Sequence, residues 1–166
     1  SMATNVPNAM PIRKPVDPAY APYAYFTQRN FFTADVMKVI SPQTVLAIGM
    51  TREQMAETLT RHGVKAASIA GGTLDEAALR ALLQKALGDD GRFVLANYLR
   101  ASLGQVGGGH WSVLAAFDAQ SDSVLILDVA KYKYAPAWVA ISTLRQAIAT
   151  TDTTSNKARG LVIVSK

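Results

Sequence analysis

The 166 residues carry a formal charge of +5, 49% hydrophobic residues and no cysteine. That length and composition suit one globular domain over residues 1–166 and exclude a disordered chain. The missing cysteine excludes disulfides, thiolate metal sites and a thiol nucleophile from these residues.

Five of the seven prolines stand in the first 25 residues: Pro7, Pro11, Pro15, Pro18 and Pro22. They predict an extended or turn-rich lead-in, because proline fixes φ and breaks helices. Tyr20, Tyr23, Tyr25 and Phe26 are expected to pin that lead-in onto the domain. Thr33 caps a predicted short helix over 34–40, which Pro42 limits. Residues 43–48 are ambiguous. Thr51 and Gln54 fit a capping box, with Met55, Leu59 and His62 following at helical spacing and Gly63 as the stop. Residues 64–69 are β-prone. Thr73 and Glu76 form a second capping-box signature before the stripe Leu74, Ala77, Ala78, Leu82 and Leu83, which Gly88 ends.

The second half changes character. Strands are predicted over 93–99, 111–117, 123–129 and 160–164, the middle two joined by the polar turn 118–122 as a hairpin. A short helix over 144–148 is expected to start from a Ser142 cap. Helices preceding an apparently antiparallel sheet predict an α+β domain. Lys and Arg are scattered singly apart from Arg13-Lys14 and Lys131/Lys133, so no nucleic-acid surface is read. No run approaches the ~18 apolar residues of a membrane span. No signal-peptide pattern is read in the opening residues.

His110 stands out, because the glycines of 107–109 precede it and a strand follows it. Glycine there lets the backbone turn tightly or approach a ligand. A histidine at the mouth of a strand serves either as a proton shuttle or as a ring satisfied by hydrogen bonds. Asp128 ends an apolar strand, where a carboxylate needs a partner. The hairpin offers His110, whose tautomer Asp128 would fix; Lys131, Lys133 and Arg100 are the competing partners. Arg100 and Lys131 are candidates for gripping an anion, and Tyr134 for a hydroxyl hydrogen bond. No GxSxG elbow or HExxH pair occurs, which leaves serine and dedicated metal chemistry without a motif.

The stretch NYLRASLGQVGGGHWSVLAAFDAQSDSVLILDVAKYKYAPAWV, residues 97–139, resembles the signature region of phytochelatin synthases, glutathione gamma-glutamylcysteinyltransferases with a papain-like fold. The likeness extends upstream through YFTQRNFFTADV and GMTREQMAETLTRHGV and downstream to TTDTTSNKARGLVIVSK. It implies His110 and Asp128 as the catalytic histidine and aspartate. It places Arg100, Lys131 and Tyr134 near the substrate. Lys131 stands where the family usually has arginine, which keeps the charge and loses the bidentate fork.

The family's nucleophilic cysteine lies in an earlier Cys-Gly-x-Ala-Ser context, and Ser1-Met2-Ala3 resembles what would follow it. The expectation is therefore a papain-like fold whose catalytic-cysteine segment lies outside this sequence. A replaced start is the competing explanation, since Asn5 and Pro7 fit a helix interior poorly. The implied function is γ-glutamylcysteinyl transfer from glutathione with release of glycine, or hydrolysis to γ-glutamylcysteine. The alternative is a noncatalytic domain that binds glutathione or its metal thiolates. Further implications are no bound cofactor, cadmium or zinc arriving as the metal–glutathione substrate, a homodimer, and a bacterial protein of cytoplasm or periplasm.

Overall fold

A computed structural model describes residues 14–165. The expectations resting on Ser1-Met2-Ala3, Asn5, Pro7, Pro11 and Arg13 lie outside the described residues. The helices are α1 Gln28–Phe31, α2 Pro42–Ile48, α3 Arg52–Arg61, α4 Glu76–Leu87 and α5 Ile141–Ile148. The strands are β1 Lys65–Ala70, β2 Arg92–Leu99, β3 Gly109–Asp118, β4 Ser123–Asp128, β5 Ala137–Ala140, β6 Thr151–Asp152, β7 Lys157–Ala158 and β8 Gly160–Ser165.

A six-stranded sheet runs β1-β8-β2-β3-β4-β5, with every neighbouring pair antiparallel. The β6–β7 hairpin stands apart. The fold is mixed α/β with an antiparallel sheet. Helices do not simply precede it: β1 comes before α4, and α5 sits between β5 and β6.

Strand alternation sorts the apolar residues to two faces. On one face, Val94, Ala96 and Tyr98 of β2, Leu114 of β3, Val124 and Ile126 of β4 and Leu161 of β8 pack under α4 and α5. On the other, Leu95, Val162 and Val164 pack under α3 and the segment around Phe26, Phe31 and Val36. β8 is buried from both sides, and its run LVIV is correspondingly apolar without alternation.

Several local expectations shift. The Thr51–Gln54 capping box forms, side chain to backbone in both directions. The second signature fails: Thr73 ends a 3-10 turn, and Asp75 caps α4 by accepting from the Ala78 amide at 2.7 Å. The carboxylate nearer the stripe wins because only its position carries extended backbone followed by a helical turn. α5 starts at Ile141 with no side-chain cap, so Ser142 lies inside it. The ambiguous 43–48 is helical, with Ser41 capping and Pro42 in its first turn. The expected helix over 34–40 is a single 3-10 turn, although Thr33 Oγ1 does accept from the Val36 amide. Of the lead-in aromatics, Phe26 is buried, while Tyr20 and Tyr23 are exposed.

Candidate functional site

The site lies where β2, β3 and β4 end together. Tyr98 pairs with His110 across β2–β3, and Ser112 pairs with Asp128 across β3–β4. His110 is two residues from Ser112, so it meets Asp128 as a diagonal cross-strand neighbour on one face. A register shift creates this. Near the turn, Asp118 pairs with Ser123 and Ala116 with Leu125; past the irregularity between Leu114 and Ala116, Leu114 pairs with Ile126. The extra residue, Ala115, moves the register by one. Were Ala115 paired instead, in the register that holds near the turn, Asp128 would stand opposite Val113 and His110 would turn to the other side of the sheet.

His110 Nε2 lies 2.8 Å from Asp128 Oδ1. An ionised carboxylate only accepts, so Nε2 carries the proton and the lone pair is left on Nδ1. The same Oδ1 accepts from the Ala130 amide at 2.8 Å and from Arg100 Nη2 at 3.1 Å. Arg100 Nη1 stands 2.8 Å from Asp128 Oδ2 but points its N–H at Gln105 Oε1, 2.6 Å away. That second contact is therefore an ion pair by charge and not an aligned hydrogen bond, and buried Oδ2 has no aligned donor among the described residues. Behind the histidine, the Tyr98 ring meets it edge-on at 5.9 Å, and the Tyr98 hydroxyl shares a 3.0 Å hydrogen bond with Ser112.

Burial pulls the His110 ring below the ordinary histidine value; the Asp128 hydrogen bond opposes this, and the Arg100 and Lys133 charges reinforce it. Burial pushes Asp128 up, but Arg100, the Ala130 amide and His110 together hold it below the ordinary carboxylate range. The result is an ionised aspartate against a neutral imidazole, the arrangement a general base needs near neutral pH.

Arg100 is buried and spends its fork on Asp128 and Gln105. Of the partners weighed for Asp128, the structure brings together both His110 and Arg100. Tyr134 lies beneath the Arg100 guanidinium, 4.9 Å from centroid to Cζ, and its hydroxyl accepts from the Val106 amide at 2.7 Å. Lys131 is exposed on the turn after β4. His62, the other histidine, is remote: it closes α3, with Nε2 2.9 Å from the Phe31 carbonyl.

Two cavities open on the other face. One, of about 450 Å³, is apolar and bounded by Phe31, Phe32, Met50, Met55 and Trp111. The other, of about 260 Å³, is polar and walled by Gly109 and Trp111, the residues flanking His110, with Arg52, Asn97, Asp152, Lys157 and Arg159. Arg159 is buried and donates to Asp152 at 2.7 Å and to the Thr151 carbonyl at 2.7 Å. A Cβ on Gly109 would stand 2.6 Å from Arg159 Nη2, so a larger residue there would push the guanidinium from its place. Asp152, Lys157 and Arg159 escaped the sequence reading as site residues. They reach the pocket because β8 pairs with β2, which sets Gly160 opposite Asn97.

The chain matches a family model described as phytochelatin synthase over residues 1–161. It is 43% identical over 75 residues to glutathione gamma-glutamylcysteinyltransferase 3 of Lotus japonicus, covering 45% of this chain and 16% of that protein. It is 37% identical over 87 residues to glutathione gamma-glutamylcysteinyltransferase 1 of Triticum aestivum, covering 52% and 17%. Against glutathione gamma-glutamylcysteinyltransferase 1 of Arabidopsis thaliana it is 32% identical over 103 residues, covering 62% and 21%. The chain thus spans about a fifth or less of the length of these relatives.

Proposed function

This chain belongs to the phytochelatin synthase family, and from that premise we propose that it supplies the base half of a glutathione γ-glutamylcysteinyltransferase of papain-like design. The observation that carries the reading is the 2.8 Å His110–Asp128 hydrogen bond at the common end of β3 and β4. His110 takes a thiol proton on Nδ1. The thiolate attacks the carbonyl of the Cys-Gly amide of glutathione, a C–S bond forms, and the C–N bond to glycine breaks as His110 returns the proton to the leaving amine. The γ-glutamylcysteinyl thioester then passes to the amine of a second glutathione, or to water. Asp128 keeps the ring oriented and favours its charged form during the transfer. The sequence holds no cysteine, so in this reading the thiol comes from outside these 166 residues.

The polar pocket suits the γ-glutamyl end of glutathione, which carries one carboxylate and one ammonium. Arg52, Lys157 and Arg159 offer the positive charge and Asp152 the negative. Asn97 adds a buried side-chain amide able to meet a peptide group. Lys131 is proposed to meet a substrate carboxylate from the exposed turn. Arg100 and Tyr134 act on the substrate through the glycine loop they hold. Cadmium or zinc enters bound to glutathione thiolates, as part of the substrate.

The test joins a cysteine-bearing helix to residue 1 and measures glycine released from glutathione, with and without cadmium. The 166-residue chain alone is expected to release none. The extended protein is expected to release glycine, with the rate falling about a hundredfold or more in His110→Ala. An extended protein that binds glutathione but releases no glycine would instead favour a noncatalytic glutathione-binding domain. Release by the unextended chain that disappears in His110→Ala would require a different nucleophile.

A further inference from the structure

The loop of residues 104–109 wraps a single side chain. Arg100 lies inside it, and the loop closes on its backbone: the Arg100 amide donates to the Gly108 carbonyl at 3.0 Å, and the Gln105 amide to the Arg100 carbonyl at 3.1 Å. Gly107 takes a φ of +127°, and a Cβ there would press on Arg100 Cδ at 3.1 Å. Glycine is needed at 107 for both reasons. Gln105 Oε1 accepts a hydrogen bond from Nη1 at 2.6 Å, and the guanidinium lies over the Tyr134 ring. The Tyr134 hydroxyl fastens the loop again at Val106. The outer surface of the loop is exposed at Val106.

Arg100 has little freedom in this collar, and what it holds is Asp128. We propose that Gln105, acting through Arg100, is a positioning residue that fixes the Asp128 carboxylate on His110, so that the glycine loop sets the proton affinity of the base. The proposal rests on the reading of His110 as a general base, but its test does not require turnover. With Arg100 in place, part of the Asp128 charge is cancelled and the imidazole remains neutral. If Arg100 swings away, Asp128 faces His110 without a competing cation and the imidazolium gains. An opposite charge at such distances commonly moves a pKa by about one to three units. The other charged or titratable groups around the ring are Lys133 on the following turn and Tyr98 on β2, and Arg159 lies one residue away against Gly109; these stay unchanged in the variants below.

The experiment is an NMR titration of the histidine rings of this chain. It contains two histidines, so His62, with its ring against Phe26 and Phe31, serves as the internal control. In Gln105→Leu, the His110 midpoint is expected to rise by about half a unit or more, with His62 unmoved. Tyr134→Phe removes only the hydroxyl and is expected to move His110 in the same direction by less. Arg100→Met should give the largest rise, while Arg100→Lys, which keeps the charge, should fall between Arg100→Met and the parent. A His110 midpoint in Gln105→Leu equal to that of the parent overturns the proposal. So does a Gln105→Leu protein in which both histidines move together, because that reports general loosening and not control of Asp128. Loss of glycine release in the extended enzyme with an unmoved His110 midpoint would separate a substrate-contact role for the loop from the one proposed.

Discussion

At the scale of single residues, the two histidines show how one physical term serves two ends. Burial lowers the proton affinity of both His110 and His62. At His110 the carboxylate of Asp128 opposes burial; at His62 the opposing contact is the Phe31 carbonyl, with Phe26 and Phe31 rings on either side at 4.9 and 4.7 Å. The pH consequence has a fixed sign. An unfolded histidine titrates at its ordinary value of 6.5, above the folded value at both positions. Between those values the unfolded chain binds more protons, so this contribution is fully present above the ordinary value and is lost progressively as pH falls from there through the folded value. His62→Gln keeps a donor for the Phe31 carbonyl and removes the titration. The melting temperature of the parent is expected to fall more steeply than that of His62→Gln between about pH 7.5 and pH 5. Parallel melting curves across that range would mean that His62 is protonated in the fold without penalty.

At the scale of elements, the β3–β4 hairpin carries the bulge at Ala115. The bulge admits one extra residue into β3 without turning His110 away from Asp128: Ala116 stands opposite Leu125 and Leu114 opposite Ile126, with Ala115 unpaired between them. Deleting Ala115 therefore closes the ladder and leaves Ser112 opposite Asp128 and both side-chain faces unchanged. The expected result is a folded protein in which His110 still titrates against Asp128. A deletion variant in which the His110 midpoint moved to that of an Asp128→Asn protein would show that the local bend of the bulge, and not the register alone, holds the pair. This element also marks the limit of legibility. The hairpin itself was readable, because two apolar runs flank the polar turn 118–122. So was the helix begun by Thr51 and Gln54, whose contacts are local. The bulge was not, since Leu114, Ala115 and Ala116 contain no glycine or turn residue to signal it. β5 escaped notice because AWVA is short and follows a proline-bearing turn. The polar pocket was unreadable for another reason. Asn97 meets Arg159 and Asp152 only through the β2–β8 ladder, and no local pattern encodes a pairing so distant in the chain.

At the scale of the whole molecule, the sheet divides two unequal layers. On one side, α4 and α5 bury Leu79, Leu83, Ile141, Leu144 and Ile148 completely. Each such side chain contributes roughly 1.5–3 kcal/mol relative to an exposed one. On the other side, α2 buries no residue, Leu46 is 88% exposed, and the apolar cavity of about 450 Å³ lies beneath it. A helix of that kind has few contacts to lose on opening, whereas β8 is covered from both faces. Local stability follows buried contact, so opening free energies should differ between the layers. Amide exchange is expected to be fastest along α2, intermediate in α3, and slowest in β2 and β8, where exchange approaches the global unfolding limit. If α2 amides were protected as well as those of β8, the second layer would be as firmly held as the first, and the apolar cavity would have to be closed in solution. The ordering also matters for the site. His110 and Asp128 project to the better-packed face, between β2 and the turn that carries Arg100. The polar pocket opens toward the looser one, where the end of α2 and the start of α3 supply part of its wall. The base is thus held on the rigid side of the sheet, while the surface proposed to receive glutathione borders the side with more freedom to move.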